Sequence, residues 1–180
     1  MDVQQSSIAA ALIAGLMLAA CGCADTAARP ASPPAGAAVQ PAATTLTIEN
    51  ILQWPLEGDE GFAKLHDNLS GLAGMTDISS VYRISEHDFM TSDGYLVENI
   101  NIRKKMPHIS IGLALQPCYR VENAKTLPNL ARSTSGEDMH GNFVGYTYYA
   151  TGNGISIHLT TAPSAPDCIV SINIFGEYEK

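Results

Sequence analysis

Two adjoining segments at the start of the chain limit what it can fold into. From Ile8 to Ala20 there is no charged residue, only Ala, Ile, Leu, Met and Gly. The run is too short to cross a bilayer as a helix, which takes roughly 20 apolar residues, but it has the length of a signal-peptide core of about 7 to 15. From Ala24 to Thr45 the chain is mostly Ala, Pro, Thr and Gly, with Pro30, Pro33, Pro34 and Pro41 spaced through it. Such a stretch has too little apolar bulk to offset the entropy of ordering, and its prolines favour extended conformations. The overall hydrophobic content of 46% therefore overstates the core, which must come from residues 46–180.

The first segment ends in Leu18-Ala19-Ala20-Cys21, which resembles the lipobox of bacterial lipoproteins. The resemblance implies cleavage after Ala20, acylation of Cys21, palmitate among the acyl groups, and anchoring of the mature protein to a membrane. Gly22, rather than Asp, after the cysteine implies sorting to the outer membrane, facing the periplasm. Met1 to Ser7 depart from the pattern by carrying Asp2 and no Lys or Arg. The expected organisation is a signal peptide over 1–20, an acylated cysteine and tether over 21–45, and one domain over 46–180.

Within that domain the periodicity is first helical. Thr47, Glu49 and Asn50 suggest a short helical turn stopped by Pro55. Asp59 and Glu60 then precede Phe62, Leu65, Leu69 and Leu72, an apolar stripe with acidic residues in its first turn, ended by Gly71 or Gly74. Beyond Gly74 the pattern alternates. Strands are expected over Ser80–Ser85 and Tyr95–Lys104, the latter with Leu96, Ile100 and Ile102 on one face, separated by Ser92-Asp93-Gly94. Ile109, Ile111, Leu113 and Leu115 form a third, with small residues opposite that suit a covering helix.

Val121, Ala124 and Leu127 suggest another short helix before Pro128, and Asn129 to Asn142 a mobile polar loop. Phe143–Ala150 reads as an aromatic strand, turning at Gly152-Asn153-Gly154 into Ile155, Ile157 and Leu159. After a loop with Pro163 and Pro166, Cys168, Val170, Ile172 and Ile174 share a face of the last strand. The expectation is an α+β fold: one main N-terminal helix packed on a mostly antiparallel sheet of about six strands.

Cys118 and Cys168 are the two cysteines inside the domain, and an exported chain places them where disulfides form, so they are expected to be bonded. A net charge of −8 argues against a nucleic-acid partner, whose phosphates require Lys and Arg. The sequence patterns of metalloproteases, serine hydrolases and phosphate loops are missing, and no catalytic residue, metal site or cofactor is assigned. Glu86-His87-Asp88 brings together residues fit for metal or acid–base work, or forms a solvated strand end. Ser133, Ser135, Glu137, Asp138 and His140 include the residue types of a hydrolase triad, but one polar loop does not hold a base rigidly. Arg103-Lys104-Lys105 protects a strand edge or meets anionic lipid headgroups.

Recognition is the stronger signal. Tyr146 and Tyr148 should share one face of the aromatic strand and Tyr149 the other, beside acidic Glu137 and Asp138, a surface suited to a basic protein partner. These five residues are the candidate partner-binding set. They point to a non-enzymatic, membrane-anchored binding lipoprotein of the periplasm, an immunity or inhibitor protein acting on an envelope-targeting toxin or hydrolase. The alternatives are a structural accessory of envelope assembly and a hydrolase working through His87 or His140.

Overall fold

The structure, a computed structural model, describes residues 45–133 and 136–176. The expected signal peptide, the expected acylation site Cys21 and the expected tether up to residue 44 lie outside the described residues, as does Ser135. Two α-helices, α1 (Ile48–Gln53) and α2 (Asp59–Ala73), precede ten strands. These are β1 (Met75–Asp77), β2 (Tyr82–Ser85), β3 (Phe89–Met90), β4 (Leu96–Arg103), β5 (His108–Leu113), β6 (Tyr119–Arg120), β7 (Ala131–Arg132), β8 (Thr147–Gly152), β9 (Ile155–Ala162) and β10 (Ala165–Gly176). They form one sheet in the order β1-β2-β4-β5-β10-β9-β8-β7, with β3 added to β4 and β6 to β10, and every pairing is antiparallel. The α+β class and the antiparallel sheet stand, with the 15-residue α2 preceded by the short α1; the sheet has ten strands among the described residues where about six were expected. The additional strands β1, β3, β6 and β7 are two or three residues long, too short to show alternation.

Local chemistry explains where the helices start and stop. Thr47 and Asn50 form a reciprocal capping box, with Thr47 Oγ1 accepting from the Asn50 amide at 3.0 Å and Asn50 Oδ1 from the Thr47 amide at 3.2 Å. Asp93, in the turn between β3 and β4, accepts from the Ile48 amide at 3.0 Å, so a distant turn fixes the same helix start. Pro55 does not end the helical path as expected; it sits at the beginning of a 3-10 turn over Trp54–Glu57, where its missing N–H costs nothing. On α2, Leu65 and Leu69 are fully buried, while Phe62 and Leu72 flank them against the core.

Two strands turn out of phase with the alternation read from the sequence, for one physical reason. On β4 the buried residues are Val97, Ile100 and Ile102, not Leu96 with Ile100. Between Glu98↔Gly112 and Asn101↔Ser110, β4 uses one residue more than β5, and Asn99 takes up the bulge at φ 51. On β10 a register shift between Ile169 and Ser171 buries Ile169 in place of Val170. Pro166, expected in a loop, lies inside β10 where its pairing is irregular. The β8–β9 turn is as expected, with Asn153 and Gly154 both at positive φ.

Register then builds the core in rows across the sheet. Ile102, Ile109, Ile174, Ile157 and Ala150 are successive partners on β4, β5, β10, β9 and β8, and all are buried. Ile48, Ile51 and Leu52 of α1, Leu65, Leu69 and Ala73 of α2, and Ala124 of a 3-10 segment (Val121–Thr126) join them in one cluster. The helices thus pack on the isoleucine face, not on the Ser110–Gly112 face. Cys118 and Cys168 form a disulfide, Cα to Cα 5.3 Å, joining the approach to β6 to the central strand β10.

Candidate functional site

The residues between the core positions lie on the opposite face, and register places them in rows as well. One row is Asn101, Ser110, Asn173, His158 and Tyr149; beside it run Glu98, Gly112, Ser171, Thr160 and Thr147 on one side and His108, Phe175, Ser156 and Thr151 on the other. Among the described residues no helix lies over these rows, whose members are half-buried or exposed. Apart from Gly112, the row residues are amides, hydroxyls, imidazoles and the Glu98 carboxylate around two large rings. Phe175, 37% exposed, stacks on His108 with centroids 4.5 Å apart and meets His158 at 5.0 Å. Tyr149, 43% exposed, stands opposite His158.

Several polar groups on this face are tied down. Asn173 Nδ2 donates to Ser171 Oγ at 3.0 Å, and His158 Nε2 lies 3.0 Å from Ser156 Oγ. Asn101 Oδ1 and His108 Nε2 are shielded from water and have no hydrogen-bond partner among the described residues. Burial, and then the nearby Arg103 charge, holds the His108 imidazolium below its usual range, against a weaker pull from Asn173.

The five expected partner-binding residues are not all brought to this face. Tyr149 belongs to it. Tyr148 is opposite buried Leu159 and packs on the core, lining a cavity of about 240 Å³ with Arg120, Glu122, Lys125 and Asp167. Tyr146 precedes β8, its ring 4.8 Å from the Arg132 guanidinium and edge-on to Phe143 at 5.0 Å. Glu137 pairs with Phe143 as an isolated bridge.

Asp138 organises its own turn rather than pointing freely at solvent. Its Oδ1 accepts from the backbone of His140 at 2.8 Å and of Asn142 at 2.9 Å, and the Asn142 amide reaches Oδ2 at 3.1 Å. These bonds, led by the Asn142 side chain, hold its carboxyl below the ordinary aspartate value and keep the loop acidic.

Glu86 and His87 lie against the C-terminal end of α2. The His87 ring lies 2.9 Å from the Leu72 carbonyl, and the His87 and Glu86 amides donate to the Ala73 carbonyl at 3.1 and 3.2 Å. Together they satisfy acceptors at the C-terminal end of α2. Glu86 also accepts a hydrogen bond from Thr76 Oγ1. Among the described residues no three His, Cys, Asp or Glu side chains are grouped as metal ligands, and no helix is long and apolar enough to cross a membrane.

Two further cavities border the rows. One, about 340 Å³, lies at the β8–β9 turn beside Ser156 and Phe175. The other, about 260 Å³, lies under the β4–β5 turn with Arg103 and His108 in its wall. Sequence reading singled out Tyr149 but missed His158, Asn173 and Phe175. Alternation shows which residues share a face of one strand; it does not show which strands are neighbours.

No family model, curated protein or solved structure matches this chain.

Proposed function

We propose that this chain is a lipid-anchored protein of the outer membrane, facing the periplasm, whose domain binds another protein without catalysing a reaction. Within that class the reading is an immunity or inhibitor protein that neutralises an envelope-directed toxin or hydrolase. The observation that carries it is the sheet face over which no described helix lies, where exposed Tyr149 and Phe175 stand among hydrogen-bonding side chains across β8, β9 and β10. Aromatic rings of this kind supply contact area at small entropic cost, and the surrounding amides and hydroxyls fix orientation. Nearby in sequence, the ionised Asp138 turn adds negative charge that would steer a basic partner.

The test compares wild-type protein with Tyr149→Ala in capture from envelope extract, followed by titration against the protein captured. Losing this side chain should weaken binding about tenfold or more, within the range of interface hot spots, while the melting temperature hardly moves. Equal affinity would exclude this face. Labelling with a radioactive fatty acid checks the anchor: label on wild type and none on Cys21→Ser is expected.

A further inference from the structure

Arg103, Lys104 and Lys105 at the β4–β5 turn are three of the ten Lys and Arg residues in a chain with 18 Asp and Glu. Cations grouped in this way repel one another unless neutralised, and neutralisation here is incomplete. Lys104 Nζ pairs with Asp77 at 2.6 Å, but Asp77 is shared with Arg83 at 3.3 Å. Arg103 donates from Nε to the Tyr82 hydroxyl at 2.8 Å and from Nη1 to the Met106 sulfur at 3.1 Å. Neither Arg103 nor Lys105 forms a salt bridge with a carboxylate among the described residues.

All three line the 260 Å³ cavity, joined by His108 from β5 and by His66 from α2, whose Nδ1 lies 3.1 Å from Asp67 Oδ1; among the described residues no carboxylate lies in the wall itself. Phe62 and Met106 add apolar surface. Of the three cavities described above, the one at the β8–β9 turn has no charged wall, and the one beside Tyr148 mixes Arg120 and Lys125 with Glu122 and Asp167.

We infer that this cavity binds the phosphate group of a phosphate ester. Arg103 and Lys105 would meet its charge, His66 its remaining oxygens, and Phe62 and Met106 the carbon skeleton of the alcohol. Residues of α2, β4 and the β4–β5 turn that carry donor side chains line the cavity, and guanidinium and ammonium donors together suit a phosphate, which offers acceptor oxygens on several sides. The volume exceeds that of a bare phosphate and leaves room for an alcohol such as glycerol. A phospholipid headgroup and a soluble ester present this same chemistry.

Calorimetric titration of the full-length protein separates the sources. The probes are glycerol 3-phosphate, dihexanoyl phosphatidylglycerol below its micelle concentration, and hexanoate as a carboxylate of similar apolar bulk. Saturable binding of either phosphate probe is expected; the tighter of the two identifies a soluble or a lipid source. Lys105 is exposed and has no side-chain bond among the described residues, so Lys105→Glu should fold normally and weaken binding about tenfold or more. Lys125→Glu, the same charge change beside another cavity, should leave it unaltered. The inference is overturned if neither phosphate probe saturates, if hexanoate binds as tightly, or if Lys105→Glu changes nothing. None of these failures affects the reading of Tyr149 as part of a protein-binding face.

Discussion

His108 couples the open face to solvent pH. Burial and Arg103 lower its pKa from the ordinary 6.5, so the unfolded chain takes up this proton at a pH where the folded chain still resists it. The stability contributed by the neutral ring is complete above about pH 6.5 and declines as pH falls through that value towards the folded pKa. Asp77 and Asp138, whose carboxyls are shifted down from 3.8, lose their contribution only in more acid solution. Thermal melts between about pH 7.5 and pH 5 should therefore show a falling midpoint in wild type and a shallower fall in His108→Gln. Parallel curves would mean that His108 does not carry the dependence. Single residues were legible in the sequence where their chemistry is local, as with the Thr47 cap and the Asn153-Gly154 turn. They were not legible where the partner is remote: His87 was seen as a ligand type, but the Leu72 carbonyl it meets is 15 residues away.

Elements were readable in proportion to their length and regularity. The 15-residue α2 and the alternating β5 needed only their own pattern. Short strands such as β3 exist only because β4 offers them hydrogen-bonding edges. The bulge in β4 defeats alternation because one inserted residue exchanges the two faces, and no local signal distinguishes Asn99 at positive φ from Asn99 in a regular strand. The partner strand carries the complement of that bulge. A Cβ at Gly112 would stand 2.8 Å from the Glu98 carbonyl oxygen and 3.3 Å from Glu98 Cγ. The first of these contacts is with backbone, which cannot rotate away. Gly112→Ala should therefore destabilise the domain by about 1–3 kcal/mol, the usual range for forcing extra volume into a packed site. Urea denaturation measures this, and an unchanged midpoint would show that the bulge shifts freely. The small residues that suggested a helix above β5 are thus partly explained by the approach of β4.

At the scale of the whole molecule, acidity and cross-linking both belong to the domain, not to the segment before it. Asp2 is the only charged residue before Cys21, so removal of a leader would change the net charge only from −8 to −7 and leave the acidity with the domain. Cohesion of the domain depends on β10, which pairs with β5, β9 and β6 and is tied by Cys168 to Cys118 across 50 residues. A closed loop of that length restricts the unfolded chain by about 4 kcal/mol in the entropy model, a large share of the 5–15 kcal/mol that holds a typical domain together. Replacing both cysteines by serine should lower the urea midpoint by an amount equivalent to about 2–4 kcal/mol, since relaxation of the folded state recovers part of the loss. The unfolded state also expands when the loop opens, so the denaturant slope should rise as the midpoint falls. Thiol titration of the unacylated chain in denaturant without reductant gives an independent count: two reactive cysteines, Cys21 and Cys23, if the bond is present, and four if it is not. A lower midpoint with an unchanged slope would assign the bond's effect to the folded state, where it holds β6 and the following 3-10 segment against β10.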